Sequence, residues 1–204
     1  KGLRAFMAHT LVRVGRLDAH DPREVAETTE EVQALLAICH HHVENENGVV
    51  HAAMQARVPG SADAIAGEHV HHLEAIEALA AQLAAVPGDP AAVQALYRSL
   101  SAFVADNLEH MQREETEHNA LLWAHFSDDE IRALEDRIVA HHTPGQMALA
   151  MRWMLPHLTP AERAAMLGGM RAGAPEPVFQ GVLSLVRPLL GGRDWQKLAL
   201  ALGL

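Results

Sequence analysis

The sequence predicts an all-α protein: an up-down-up-down four-helix bundle followed by a C-terminal helical extension. Three observations carry this expectation. Aromatic residues make up only 4% of the 204 positions, and Ala, Leu, Glu and Gln fill long segments with helical apolar spacing. No Asn-Gly or Asp-Gly turn separates alternating strands. Capping residues divide the chain into four long segments joined by short loops, the ingredients of such a bundle.

The first helix is expected to run from the start of the chain to about Leu17. Asp21-Pro22 pairs an N-cap with proline at the first helical position and opens a second helix to about Arg57, stopped before Pro59-Gly60. Ser61 is read as the cap of a third helix to about Val86. The turn Pro87-Gly88-Asp89-Pro90 repeats the Asp-Pro signal and opens a fourth helix to about His125. Ser127-Asp-Asp-Glu130 has capping-box spacing and starts a short helix to about His141. In the extension, Thr143-Pro144 opens one helix that Pro156 ends, and Thr159-Pro-Ala-Glu162 is a second capping box. Two further short helices follow Pro175-Glu-Pro177 and Gly191-Gly192.

Composition limits the function classes. Apolar residues reach 49%, enough for a packed core. The chain carries 26 acidic and 16 basic residues, net −10, which argues against a nucleic-acid partner bound through a basic surface. No apolar run approaches the ~20 residues that cross a bilayer, so no membrane partner is expected. One cysteine cannot form an intrachain disulfide, and no signal segment opens the chain, so the expected location is cytoplasmic. The unusual number is 15 histidines, of which only His157 lies beyond residue 142. Residues 1–142 hold 23 acids and 10 bases; residues 143–204 hold 3 and 6. The expected organisation is therefore a His-rich acidic domain over 1–142 and a weakly basic helical extension over 143–204.

Helical spacing selects among the histidines. His42 and Glu46 are four apart on the stripe of Leu35, Cys39, Val50 and Ala53. His110 and Glu114 have the same spacing on the stripe of Leu100, Phe103, Asn107, His118 and Leu121. A buried carboxylate or imidazole is costly unless paired or bound to metal, and here two helices each aim such a pair inward. The first helix adds His9 and the third adds His69. The candidate ligands are thus His9, His42, Glu46, His69, His110 and Glu114, with His72 and His118 as additional ligands or outer hydrogen-bonding groups. Four imidazoles and two carboxylates without a thiolate suit iron, manganese or zinc, and carboxylates able to bridge favour two ions over one. His40, His41 and His71 are read as flanking or solvent-facing, His51 as structural, and Cys39 as a packing thiol.

These motifs, in this order, resemble the hemerythrin-like (HHE cation-binding) family. The resemblance covers about residues 1–140. It rests on His9-x-x-Val-Arg13, His-His-His42-Val-Glu-Asn-Glu46, Glu68-His69, and His110-Met-Gln-Arg-Glu114-Glu115 followed by the Ser127 capping box. It implies a four-helix bundle around two iron ions joined through an oxygen (an Fe–O–Fe centre), with manganese or zinc as less favoured occupants. Two departures separate the chain from the oxygen carriers of that family. Leu73 stands where a second third-helix histidine is expected, with His72 one place earlier, and the fourth-helix motif ends in Glu114 rather than an aspartate. Both point to a more open site that meets O2, peroxide or NO.

Other readings fit less well. A ferritin-like site needs Glu-x-x-His on alternate helices, whereas Glu68-x-x-His71 and Glu115-x-x-His118 fall on consecutive ones. A zincin needs His-Glu-x-x-His, and no His-Glu dipeptide occurs. The leading expectation is a diiron oxidoreductase, or an oxygen-handling protein without turnover, with a peroxide or diatomic ligand. The alternatives are an oxygen-, NO- or iron-sensing module whose extension forms a homodimer or binds a protein partner, and a bundle with structural zinc.

Overall fold

A computed structural model describes residues 1–204, and it is all-helical with no strand. The helices are α1 (Gly2–Gly15), α2 (Pro22–Asn45), α3 (Ala52–Arg57), α4 (Asp63–Gln82), α5 (Pro90–Arg113), α6 (Asn119–His125), α7 (Asp128–Ala140), α8 (Pro144–Met154), α9 (Pro160–Gly173), α10 (Glu176–Val186) and α11 (Gly192–Leu202). The chain forms two compact units: Met7–His142, and Thr143–Leu204 together with Lys1–Phe6. That the first six residues belong with the C-terminal unit has no signal in composition. No helix is long and apolar enough to cross a membrane.

Most of the boundary chemistry is local. The Asp21 carboxylate accepts from the backbone N–H groups of Arg23 and Glu24, and Asp89 accepts from that of Ala91, each just ahead of a proline. Ser127 and Glu130, Thr143 and Gln146, and Thr159 and Glu162 each complete a reciprocal capping box. Ser61 does not cap: α4 begins two residues later, behind Ala62, with no side-chain cap. Arg57 lies over the Phe126 ring, its guanidinium carbon 4.2 Å from the centroid, and pairs with Glu130 at 2.7 Å, which anchors the start of α7.

The second and fourth long helices are not uniform. Each is interrupted by a π-helical segment, Glu46–His51 between α2 and α3 and Glu114–His118 between α5 and α6. Such segments are rare, insert one extra residue per turn, and often sit at functional sites. Before these interruptions the stripes are regular. In α2 the buried positions include Val25, Thr28, Val32, Leu35, Cys39 and Val43; in α5 they include Val93, Leu96, Leu100, Phe103, Asn107 and His110. The α4 stripe, Ile65, His69, His72, Ile76 and Leu79, places two histidines among apolar neighbours. Helix α4 packs against both α2 and α5, and α7 lies against the segment Glu46–His51.

The C-terminal unit has its own apolar core of Met151, Leu155, Leu167, Phe179, Leu183, Val186, Leu190 and Leu198. Phe6 stacks on Trp153 with ring centroids 4.2 Å apart.

Candidate metal centre

Four residues converge in the Met7–His142 unit. One donor atom from each of Glu46, His69, His110 and Glu114 lies within 4.8 Å of every other. Glu46 and Glu114 are the first residues of the two π-helical segments, His69 comes from the α4 stripe, and His110 from the last turn of α5. His69 and His110 are buried, at 1% and 2% exposure.

The outer hydrogen bonds orient both imidazoles. His69 Nδ1 is 2.8 Å from Asn47 Oδ1, and His110 Nδ1 is 2.8 Å from Glu68 Oε2. Both oxygens can only accept, so each Nδ1 donates and each Nε2 turns inward. The two Nε2 atoms then face each other at 3.0 Å. His110 Nε2 is 2.9 Å from Glu114 Oε1, and His69 Nε2 is 3.4 Å from Glu46 Oε2. Arg113 pairs with the other oxygen of Glu68 and holds that carboxylate against His110. A carboxylate or amide behind an imidazole is the arrangement that orients metal-binding histidines.

Two neutral imidazoles in this pose would point lone pairs at each other. A proton or a metal ion between them removes the conflict. The charge balance fits either occupant. Burial disfavours a charged His69, but the Glu114 and Glu46 carboxylates outweigh it and raise the imidazole to about 9. His110 is raised as well, burial being overcome by Glu114 and Glu68. Glu114 is held well below the carboxylate range: burial opposes ionisation, and His110, His69 and Glu46 overcome it. Two nitrogens bound about 2.1 Å from one ion stand about 3.0–3.4 Å apart for right-angled to tetrahedral arrangements, which matches the observed separation. Glu46 Oε2 and Glu114 Oε1 are buried without a hydrogen-bond partner. Each faces an imidazole Nε2, at 3.4 and 2.9 Å, without forming a hydrogen bond, and a cation would satisfy both. The residues present therefore fit a metal ion.

Of the other sequence-derived candidates, His42 stands at the rim, its side chain 41% exposed and its Nε2 3.5 Å from Glu46 Oε1. His9 is not brought to the group. Its side chain is 51% exposed and its Nε2 is 3.5 Å from Glu31 Oε1, and Glu31 lies about 20 Å along α2 from the Glu46 end. His72 is buried, its ring centroid 4.5 Å from that of His110 and its Nδ1 without a partner. His118 is buried at 7%. His51, expected to be structural, is buried at 4% and stacked on His69 with centroids 5.0 Å apart. Only the π-helical geometry brings His51 in, because i→i+5 bonding puts residues five apart on one face. Burial lowers His51 and His72 to about 4, with neighbouring histidines adding to it, so both are neutral with lone pairs available. Cys39 is a buried core thiol pushed up to about 12 by burial. A cavity of about 290 Å³ opens beside the group, lined in part by Glu68, His72, Phe103 and Arg113.

The chain matches no family model, no curated protein and no solved structure.

Proposed function

We propose that this protein is a hemerythrin-like non-heme metal protein, an up-down-up-down four-helix bundle that holds two iron ions and binds or turns over O2, peroxide or NO. One observation carries the reading: two buried Nε2 atoms 3.0 Å apart, each imidazole locked from behind, facing two buried carboxylate oxygens that form no hydrogen bond. Glu46, His69, His110 and Glu114 would hold metal, and the two glutamates are the groups able to bridge. Bound iron supplies redox capacity and Lewis acidity toward a small ligand. The chain supplies the rest. Asn47 and Glu68 fix which imidazole nitrogens face the centre, and Arg113 steadies Glu68. The apolar positions of α2, α4 and α5 keep bulk water away. The cavity beside His72, about 290 Å³, leaves ample room for a diatomic or peroxide ligand to approach.

Metal analysis of protein purified without oxygen tests this, combined with optical spectra on adding oxygen, peroxide and NO. About two ions per chain are expected, with spectral changes on ligand addition. Replacing Glu46 or Glu114 with alanine removes at least one metal equivalent. Unchanged metal content in both variants sinks the assignment.

A further inference from the structure

The two π-helical segments share a pattern that the four converging ligands leave unexplained. Each begins on a glutamate of that group and ends on a buried histidine: Glu46 to His51, and Glu114 to His118. The two terminal histidines meet edge to face, ring centroids 5.1 Å apart, and His51 stacks on His69. Both ring nitrogens of His51 and the Nε2 of His118 are buried with no hydrogen-bond partner. Structural histidines in a core are held by an acceptor or donor on at least one nitrogen; His51 has neither. Three imidazole nitrogens without hydrogen bonds thus adjoin the group through His69, whose Nε2 is 3.4 Å from Glu46 Oε2 and 3.7 Å from Glu114 Oε1, on the paired segments where both helices depart from α geometry.

We propose that His51 and His118, with the Glu46 and Glu114 carboxylates, form the second metal position, in place of His9 and His42. The inference rests on the metal-binding reading above and identifies which residues make the site dinuclear. The two carboxylates would be common to both positions, and each π-helical turn would present a glutamate and a histidine to the centre together. His9, exposed beside Glu31, and His42, at the rim, are not required for the second ion.

The test is anaerobic titration of the metal-free chain with ferrous iron, and separately with manganese(II), on the parent, on His51→Asn, His118→Asn and their double variant, and on His9→Ala. Circular dichroism checks each fold. The parent and His9→Ala take up two ions per chain, while the double variant takes up one. Each single variant weakens the second step at least tenfold and leaves the first in place. Manganese resonance gives a second readout: a spin-coupled pair in the parent and an isolated-ion signal in the variants. Two ions with unchanged affinity in the double variant overturn the assignment, as does a parent that binds a single ion whose uptake requires His110. A parent that binds no ion overturns the metal reading itself. If the double variant does not fold, the single variants decide by the same criterion.

Discussion

The two units differ in how completely they satisfy buried polarity. In the C-terminal unit the one buried charge, Arg163, is built into the chain around it. Its guanidinium donates to the Leu155, Pro156 and Leu158 carbonyls at 2.8, 3.3 and 3.0 Å, while Nη1 makes no hydrogen bond and stands 3.9 Å from Asp194. These carbonyls belong to the turn between α8 and α9, so the side chain closes the open backbone groups where α8 ends. In the Met7–His142 unit, buried atoms of Glu46, His51, His72, Glu114 and His118 have no such partner. A folded chain keeps a largely satisfied buried charge for structure. It keeps several unsatisfied ones together only where something else completes them.

The largest contrast should come from substitution in the metal-free protein. Arg163→Met leaves three carbonyls without their donor, and a loss of about 3 kcal/mol is expected in denaturant unfolding, with metal content unchanged. His72→Leu removes a buried imidazole whose Nδ1 has no partner, and should stay within about 1 kcal/mol of the parent. Equal losses in the two variants would break the comparison. Next in size, Glu68→Gln weakens the acceptor behind His110 and should lower metal affinity about 10–100-fold with little change in unfolding free energy. Competition against a chelator of known affinity measures it; unaltered affinity would show that Glu68 only pairs with Arg113.

The smallest effect concerns acid, and here the units behave alike. Glu130 is drawn down to about 2 by Arg57 and the Ser127 backbone, and Glu162 to about 2 by Lys1 and the Thr159 backbone. Both folded values lie below the ordinary 4.5, so the stabilisation is complete above that pH and is lost as pH falls toward about 2. Thermal midpoints should decline across that window. Arg57→Gln should shallow the decline for the Met7–His142 unit alone, and an identical slope in the variant would remove Glu130 from the explanation.

Much of the fold was legible because its signals are local. Asp21, Asp89, Ser127, Thr143 and Thr159 cap as their spacing predicts, since a cap needs only the next three residues. Ser61 does not cap: the chain turns at Gly60, with φ +86°, and Ala62 holds the cap position. At the site, helical spacing put Glu46, His69, His110 and Glu114 on inward faces, and those four converge. It could not bring in His51, because a uniform α-helix turns a residue five after Glu46 off the stripe and nothing in the string Glu46–His51 announces a π turn. Nor could it separate His9 from the group: a face is readable from spacing, but the height at which one helix meets its neighbour is not.

The sequence by itself therefore determined the all-helical class, most of the helix starts, and which faces carry imidazole and carboxylate, because each depends on residues within a turn or two of one another. Tertiary structure alone decided which of the 15 histidines meet. It set the axial level of α2, α4 and α5, opened the π turns at Glu46 and Glu114, placed Asn47 and Glu68 behind two imidazoles, and joined Lys1–Phe6 to the C-terminal unit. Those outcomes follow from packing between segments far apart in the chain, where the burial of one side chain depends on partners its local sequence does not contain.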